Sequence, residues 1–275
     1  MNIFEQMIKV MQTEMPEPSL FGGAHIFWLV LTVIGIITIS LTCKNISDKK
    51  YRIIVGIFGI SLLVLEAFKQ FNFSYDSTTD TWEYAWKQFP FQFCSVPMYV
   101  MTIVALLKEN KFRKYLCAFL ATFGLFAGLV VMIYPATILS SIIFRFSQSM
   151  IHHASMLLVG VLTMVAGKSE VKQKTILKAI PVFVVCLCLA FSMNIIFHYS
   201  GNDASFNMFY IGPFSKCDIP VLSTIGELLK IESDVLHFGN FVFIFIYALG
   251  FSLAAYITLL ISIGTKALYN KISNK

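Results

Sequence analysis

A helix needs about 20 apolar residues to cross a bilayer, and this chain offers seven such stretches. They fall at 24–43, 53–73, 88–107, 115–134, 148–167, 178–198 and 237–264. Spans of this length restrict the architecture sharply, because in lipid every backbone N–H and C=O must be satisfied within the protein. Composition agrees. The chain is 57% hydrophobic and 13% charged, with a mean hydropathy of +0.75, whereas soluble domains carry about 25% charged residues. The expectation is an all-α polytopic protein of the cell membrane with seven transmembrane helices. Residues 1–23 read as an interfacial segment, with Phe4, Met7, Ile8 and Met11 spaced for one helical face. Residues 24–264 form the transmembrane domain and 265–275 a cytoplasmic tail. Residues 135–147 are apolar but short and follow Pro135, so they read as an interfacial or re-entrant loop. The external segment 199–236, with Asn202, Asp203, Tyr210, Pro213 and Cys217, reads as a lid.

Basic residues in short loops set the direction of insertion. Lys44, Lys49, Lys50 and Arg52 follow the first span, and Lys108, Lys111, Arg113 and Lys114 follow the third. Lys168, Lys172, Lys174 and Lys178 follow the fifth, and Lys266, Lys271 and Lys275 follow the seventh. The opposite side holds Lys9, Lys87, Arg145, Lys216 and Lys230. The alternation predicts the N-terminus outside and the C-terminus inside. The net charge of +6 is therefore topological, and no basic stripe or nucleic-acid motif is present. The six cysteines show neither a CxxC pair nor a disulfide framework. Adjacent His152 and His153 diverge, and no HxxxH pair occurs, so neither a metal nor a cofactor is expected.

Titratable residues inside a span are expensive and mark candidate sites. Glu66 and Lys69 are i, i+3 in the second span, and Gln70 is i+4 from Glu66. A functional pair and a structural pair that locks helix packing are equally open. All five histidines, His25, His152, His153, His198 and His237, fall at the outer ends of spans, which suggests an outward polar pocket. The bland alternative is that histidine is tolerated at an interface. The third span opens Phe89-Pro90-Phe91-Gln92-Phe93-Cys94-Ser95-Val96-Pro97. Pro97 inside a helix would free the carbonyl near Phe93. Arg145, Gln148, His152 and Ser155 share one face of the fifth span, while His153 shares a face with Ser149 and Met156. A histidine beside Cys94 could take its thiol proton and make a nucleophile. A lone membrane cysteine is nonetheless far more often a small apolar residue.

The run FPFQFCSVPMY, after a span with an embedded acidic residue, resembles the corresponding segment of YwaF-type bacterial integral membrane proteins. GGAHIFW with His25 and SMIHHASM with His152 resemble their first- and fifth-span histidine regions. Gln92 stands where that family commonly has a histidine. The family is more remotely similar to a eukaryotic acyltransferase family that remodels ether phospholipids through a cysteine and a histidine. The resemblance implies a catalytic pair of Cys94 and His152. It also implies membrane lipids as partners and no nucleic acid. His25, Glu66, Lys69, Gln92, Arg145, Gln148 and His153 are the supporting residues. The expected activity is a lipid acyltransferase or lipid hydrolase at the outer leaflet. The alternatives are a non-enzymatic transporter or binding protein for small solutes or lipids, and a structural partner. The near absence of polar residues from the inner half of the spans weighs against transport.

Overall fold

A computed structural model describes residues 2–135, 138–201, 206–233 and 235–273. Among the described residues the regular structure is helical apart from one small hairpin and an isolated bridge between Glu14 and Ile142. Helix α1 (Ile3–Met11) begins in a capping box: the Asn2 side chain accepts from the Glu5 N–H, and the Glu5 carboxylate accepts from the Asn2 N–H. Ile8 is buried, and Phe4 lies edge-on to Phe71 at 5.1 Å, so α1 rests on the end of the third helix. Helix α2 (Gly23–Thr42) and helix α3 (Asp48–Ser74) follow. Strands β1 (Tyr75–Asp76) and β2 (Thr81–Trp82) pair antiparallel just beyond α3.

Helix α4 (Val96–Leu106) is short. Helices α5 (Lys111–Phe119) and α6 (Leu125–Ile133) run on as one rod through a π turn at Leu120–Gly124. Helices α7 (Ile143–Val165) and α8 (Thr175–Tyr199) complete the central group. Helix α9 (Leu222–Leu228) lies in the loop before the long terminal helix α10 (Phe238–Ser273). Among the described residues, six helices are long and apolar enough to cross a membrane. The α5–α6 rod and α7 are the most enclosed, 72% and 67% buried, against 11% for α2. The bundle is therefore assembled around these two, and α2 presents most of its apolar surface outward. Close approach of α6 and α7 requires a glycine. A Cβ on Gly128 would sit 2.7 Å from the His153 carbonyl oxygen and 2.8 Å from the Leu157 nitrogen. Both are backbone atoms that cannot step aside, and such small-residue contacts let membrane helices pack by dispersion.

The third apolar stretch differs from the expected helix over 88–107. Only Val96–Leu106 is α-helical, preceded by a 3-10 turn at Trp86–Gln88 and irregular chain to Ser95. Pro97 lies in the first turn of α4 rather than interrupting a helix. There its missing N–H is not needed and its fixed φ suits the helix start. Eleven helical residues span about 16 Å, roughly half of a bilayer core. The segment still runs the length of α3. Gln70 at one end of α3 donates to the Gln88 carbonyl at 2.7 Å. Arg52 at the other donates to the carbonyls of Ala105 and Leu106 at 2.7 and 2.9 Å.

The described part of 199–236 is anchored in the bundle. Met208, Phe209 and Ile211 are buried in the same core as Phe93 and Phe123. Asn202 and Asp203 lie outside the described residues. The end of the bundle at the start of α3 also carries buried polar residues. Tyr51, Arg113, Cys117 and Thr163 are buried there, with the Tyr51 hydroxyl 3.0 Å from Thr163 Oγ1. Asp48 pairs with both Arg113 (2.6 Å) and Lys168 (3.2 Å). The basic loops after α2, α4 and α7 therefore meet at one end of the bundle.

Candidate functional site

The face of α7 that sequence periodicity singled out points at α3 and at the irregular chain before α4. Arg145 lies over the Phe73 ring at 4.0 Å, and its Nε donates to Asn72 Oδ1 at 2.6 Å. One turn on, buried Gln148 donates to Glu66 Oε2 at 3.5 Å. A further turn on, His152 Nε2 lies 2.9 Å from the Cys94 carbonyl oxygen. A carbonyl only accepts, so His152 donates through Nε2, and its Nδ1 carries the lone pair. The contact between the two residues thus runs through the Cys94 backbone. His153 donates through Nδ1 to the Ser149 carbonyl at 2.7 Å, and its ring centroid is 5.4 Å from that of His152.

Glu66 collects three partners. Lys69 Nζ donates to its two oxygens at 3.2 and 3.3 Å, and Gln70 Nε2 donates to Oε1 at 2.7 Å. Gln148 is the third. Glu66 is 3% exposed, while the Lys69 side chain is 19% exposed, so the cation side of this pair is the accessible one. Tyr84 donates to Gln70 Oε1, and Tyr99 donates to the Pro90 carbonyl, both at 2.8 Å. Side chains thus satisfy the carbonyls of Gln88, Pro90 and Cys94, while local turns satisfy the N–H groups of Phe89, Phe91 and Ser95.

Gln92 has a role its sequence position does not announce. Its Nε2 donates to the Asn207 carbonyl at 2.9 Å, and its Oε1 accepts from the Phe209 N–H at 2.8 Å. Asn194 grips the next residue in the same way, accepting from the Met208 N–H and donating to the Met208 carbonyl. Between these clamps Phe209 and Tyr210 hold φ of 59° and 56°. Left-handed backbone costs a bulky residue about 1–3 kcal/mol and persists where surroundings enforce it. Burial pushes the Tyr210 hydroxyl above its ordinary range.

Beneath Cys94, Phe93 lies edge-on to Phe251 at 4.9 Å and to Phe183 at 5.6 Å. Tyr247 stacks on Phe251 at 4.2 Å and is fully buried, and its hydroxyl has no hydrogen-bond partner. Sequence reasoning missed Tyr247 because it is one aromatic residue in a long apolar run. Only its spacing from Phe251, i to i+4, hinted at a common face.

The five histidines do not form one pocket. His25 accepts from the Phe21 N–H at Nδ1 and donates through Nε2 to the Met132 carbonyl at 2.8 Å, which fastens α2 to the end of α6. His198 stacks on Phe214 at 3.8 Å, and His237 donates to the Lys230 carbonyl. Only His152 and His153 adjoin the Cys94 turn. Among the described residues no cluster of three or more His, Cys, Asp or Glu could hold a metal ion.

No curated protein and no solved structure matches the chain. The motifs resembled those of the YwaF-type proteins, whereas the family profile that matches is that of the TMEM164 family, over residues 20–263. With that match, the six long apolar helices and the buried polar turn around Cys94 belong to a multi-pass membrane protein, and the chain is a member of the TMEM164 family.

Proposed function

We propose that this protein is a membrane-embedded lipid acyltransferase or lipid hydrolase in which Cys94 is the nucleophile and His152 its proton carrier. The observation that supports this reading most is the 2.9 Å contact from His152 Nε2 to the Cys94 carbonyl. It holds an imidazole against a cysteine in an apolar interior, on backbone that no helix satisfies. In the resting arrangement the ring is occupied by the carbonyl. When the ring releases the carbonyl and turns to the thiol of the same residue, it takes the S–H proton. Catalytic hydrogen bonds commonly tighten only with substrate present. The sulfur attacks the ester carbonyl carbon of a lipid. The carbonyl oxygen gains negative charge, for which the unpartnered Tyr247 hydroxyl is a ready donor. The C–O bond to the glycerol oxygen breaks, and His152 returns the proton to that oxygen. A lysolipid hydroxyl or water then attacks the thioester carbonyl carbon while His152 takes its proton, the C–S bond breaks, and His152 returns that proton to the Cys94 sulfur. The partly exposed Lys69, oriented by Glu66 and Gln148, would hold a headgroup phosphate. His25, by contrast, would serve packing alone.

The same reading assigns seven crossings. Residues 88–106 follow α3 from end to end, which supports a broken third crossing with Cys94 at its non-helical half. By the basic-loop rule, the N-terminus is then outside, and the site faces the outer leaflet of the cell membrane. Purified protein in vesicles carrying a phospholipid with a labelled acyl chain, with and without lysophospholipid, tests the activity. Labelled product should form with wild type, as transferred chain or as free acid, and should be lost with Cys94→Ala. Equal turnover by Cys94→Ala, or none by wild type, overturns the proposal.

A further inference from the structure

The opposite end of the bundle carries a second polar site built from entirely different residues. A cavity of about 310 Å³ opens where the starts of α3 and α5 meet the loop before α8. Its ionisable lining comprises Arg113, Lys114, Lys168 and Lys178 against Asp48, Glu109 and Glu170, so cations exceed carboxylates by one. The excess is local. Arg113 and Lys168 converge on the single carboxylate of Asp48, at 2.6 and 3.2 Å. Lys114 and Lys178 have Glu109 and Glu170, at 3.6 and 3.4 Å. Arg113 is 3% exposed, and its guanidinium spans both Asp48 oxygens, so it is fixed in place.

Ser169 supplies an independent sign of a ligand. It is 7% exposed, it lines the cavity, and its buried hydroxyl has no partner. A buried donor left unsatisfied is destabilising, so such groups are kept where something binds them. Its position follows from the end of α7. Gly167 takes φ of +67°, and the N–H groups of Lys168 and Ser169 both return to the Thr163 carbonyl. This is a helix C-terminal turn that only glycine enters freely. It brings Lys168 and Ser169 to the cavity together.

We propose that this cavity binds a phosphomonoester group. Ammonium donors from Lys114, Lys168 and Lys178 and the Ser169 hydroxyl approach from three segments of chain. That arrangement suits a tetrahedral anion with several oxygens better than a planar carboxylate. The group could reach this end as the headgroup of a lipid or as a soluble ester, and the chemistry is the same for both.

Two arms test it, using the full chain in nanodiscs of neutral phosphatidylcholine. One adds glycerol 3-phosphate in solution; the other replaces part of the lipid with phosphatidic acid. Thermal unfolding is followed in both. The expected result is a rise in Tm with at least one probe: with glycerol 3-phosphate for a soluble ligand, or with phosphatidic acid alone for a lipid. Lys168→Gln should weaken the apparent affinity about tenfold, the loss of one charge-assisted hydrogen bond. Ser169→Ala should weaken it several-fold while leaving the unliganded Tm unchanged or higher, because it removes an unsatisfied group. Lys49→Gln, a basic change at the same end outside this cavity, should retain the response. No rise in wild type with either probe overturns the proposal. So does an equal loss in Lys49→Gln and Lys168→Gln, which would mark general surface charge.

Discussion

The two ends of the bundle solve the same problem in opposite ways. At the basic end, polar groups lie on regular helices or their caps and are neutralised by one another, as Arg113 and Lys168 are by Asp48. At the Cys94 end, the chain itself departs from helix, and amide side chains are spent on its backbone. Gln92 and Asn194 hold residues 207–209, Gln70 holds Gln88, and His152 holds Cys94. Between the ends lies an apolar layer containing Met98, Met101, Phe119, Phe123 and Phe183. The comparison teaches that charge pairing suffices where helices meet. Irregular backbone at membrane depth must instead be held by many directional bonds.

The sharpest way to break this comparison is at His152. If it carries the proton of Cys94, His152→Ala should lower turnover by about 10²–10⁴-fold, with the protein still folded. Vesicle assays normalised to folded protein check this, and a loss matched by unfolding would reduce His152 to a backbone clamp. Next comes Tyr247→Phe, which removes a buried hydroxyl that has no partner. Stability should hold or rise, because no hydrogen bond is lost, while turnover should fall about 100-fold if that hydroxyl meets the carbonyl oxygen. Thermal unfolding and initial rates measured on one preparation separate the two effects.

Gln92→Ala should then cost about 2 kcal/mol or more, since the Phe209 N–H and the Asn207 carbonyl lose their partner inside the protein. Faster hydrogen exchange confined to residues 206–212 is the expected signature, and unchanged exchange there would remove Gln92 from its clamping role. The smallest effect belongs to the basic end. Thr163→Val removes one partner of the Tyr51 hydroxyl, which keeps the Cys117 sulfur at 3.6 Å. The cost should be about 1 kcal/mol, read as a modest fall in Tm.

Much of this was legible in the sequence because it depends on local periodicity. Glu66, Lys69 and Gln70 meet because i, i+3 and i+4 share a helix face, and Arg145, Gln148 and His152 line one side of α7 for the same reason. Span lengths predict seven crossings, and six of those seven stretches are long apolar helices among the described residues, because lipid enforces such lengths. Three things were not legible. The third apolar stretch has the hydropathy of a helix, yet before Val96 the carbonyls of Gln88, Pro90 and Cys94 accept from the side chains of Gln70, Tyr99 and His152 rather than from a helix ladder. Gln92 meets Phe209 across 117 positions, and no local pattern encodes that pairing. Histidines at similar depth along the spans suggest one shared pocket. His25 and His237 instead serve backbone groups nearby, since depth fixes one coordinate and leaves the position around the bundle open.

The central claim is that Cys94 forms a thioester with a lipid acyl chain. Intact-protein mass measured after brief incubation with phospholipid vesicles and an acid quench tests it directly. Wild type should gain the mass of one acyl group, mapped to Cys94 and released by hydroxylamine, and Cys94→Ala should gain none. An equal adduct on Cys94→Ala, or wild type that turns over lipid with no acyl group on Cys94, would contradict the account.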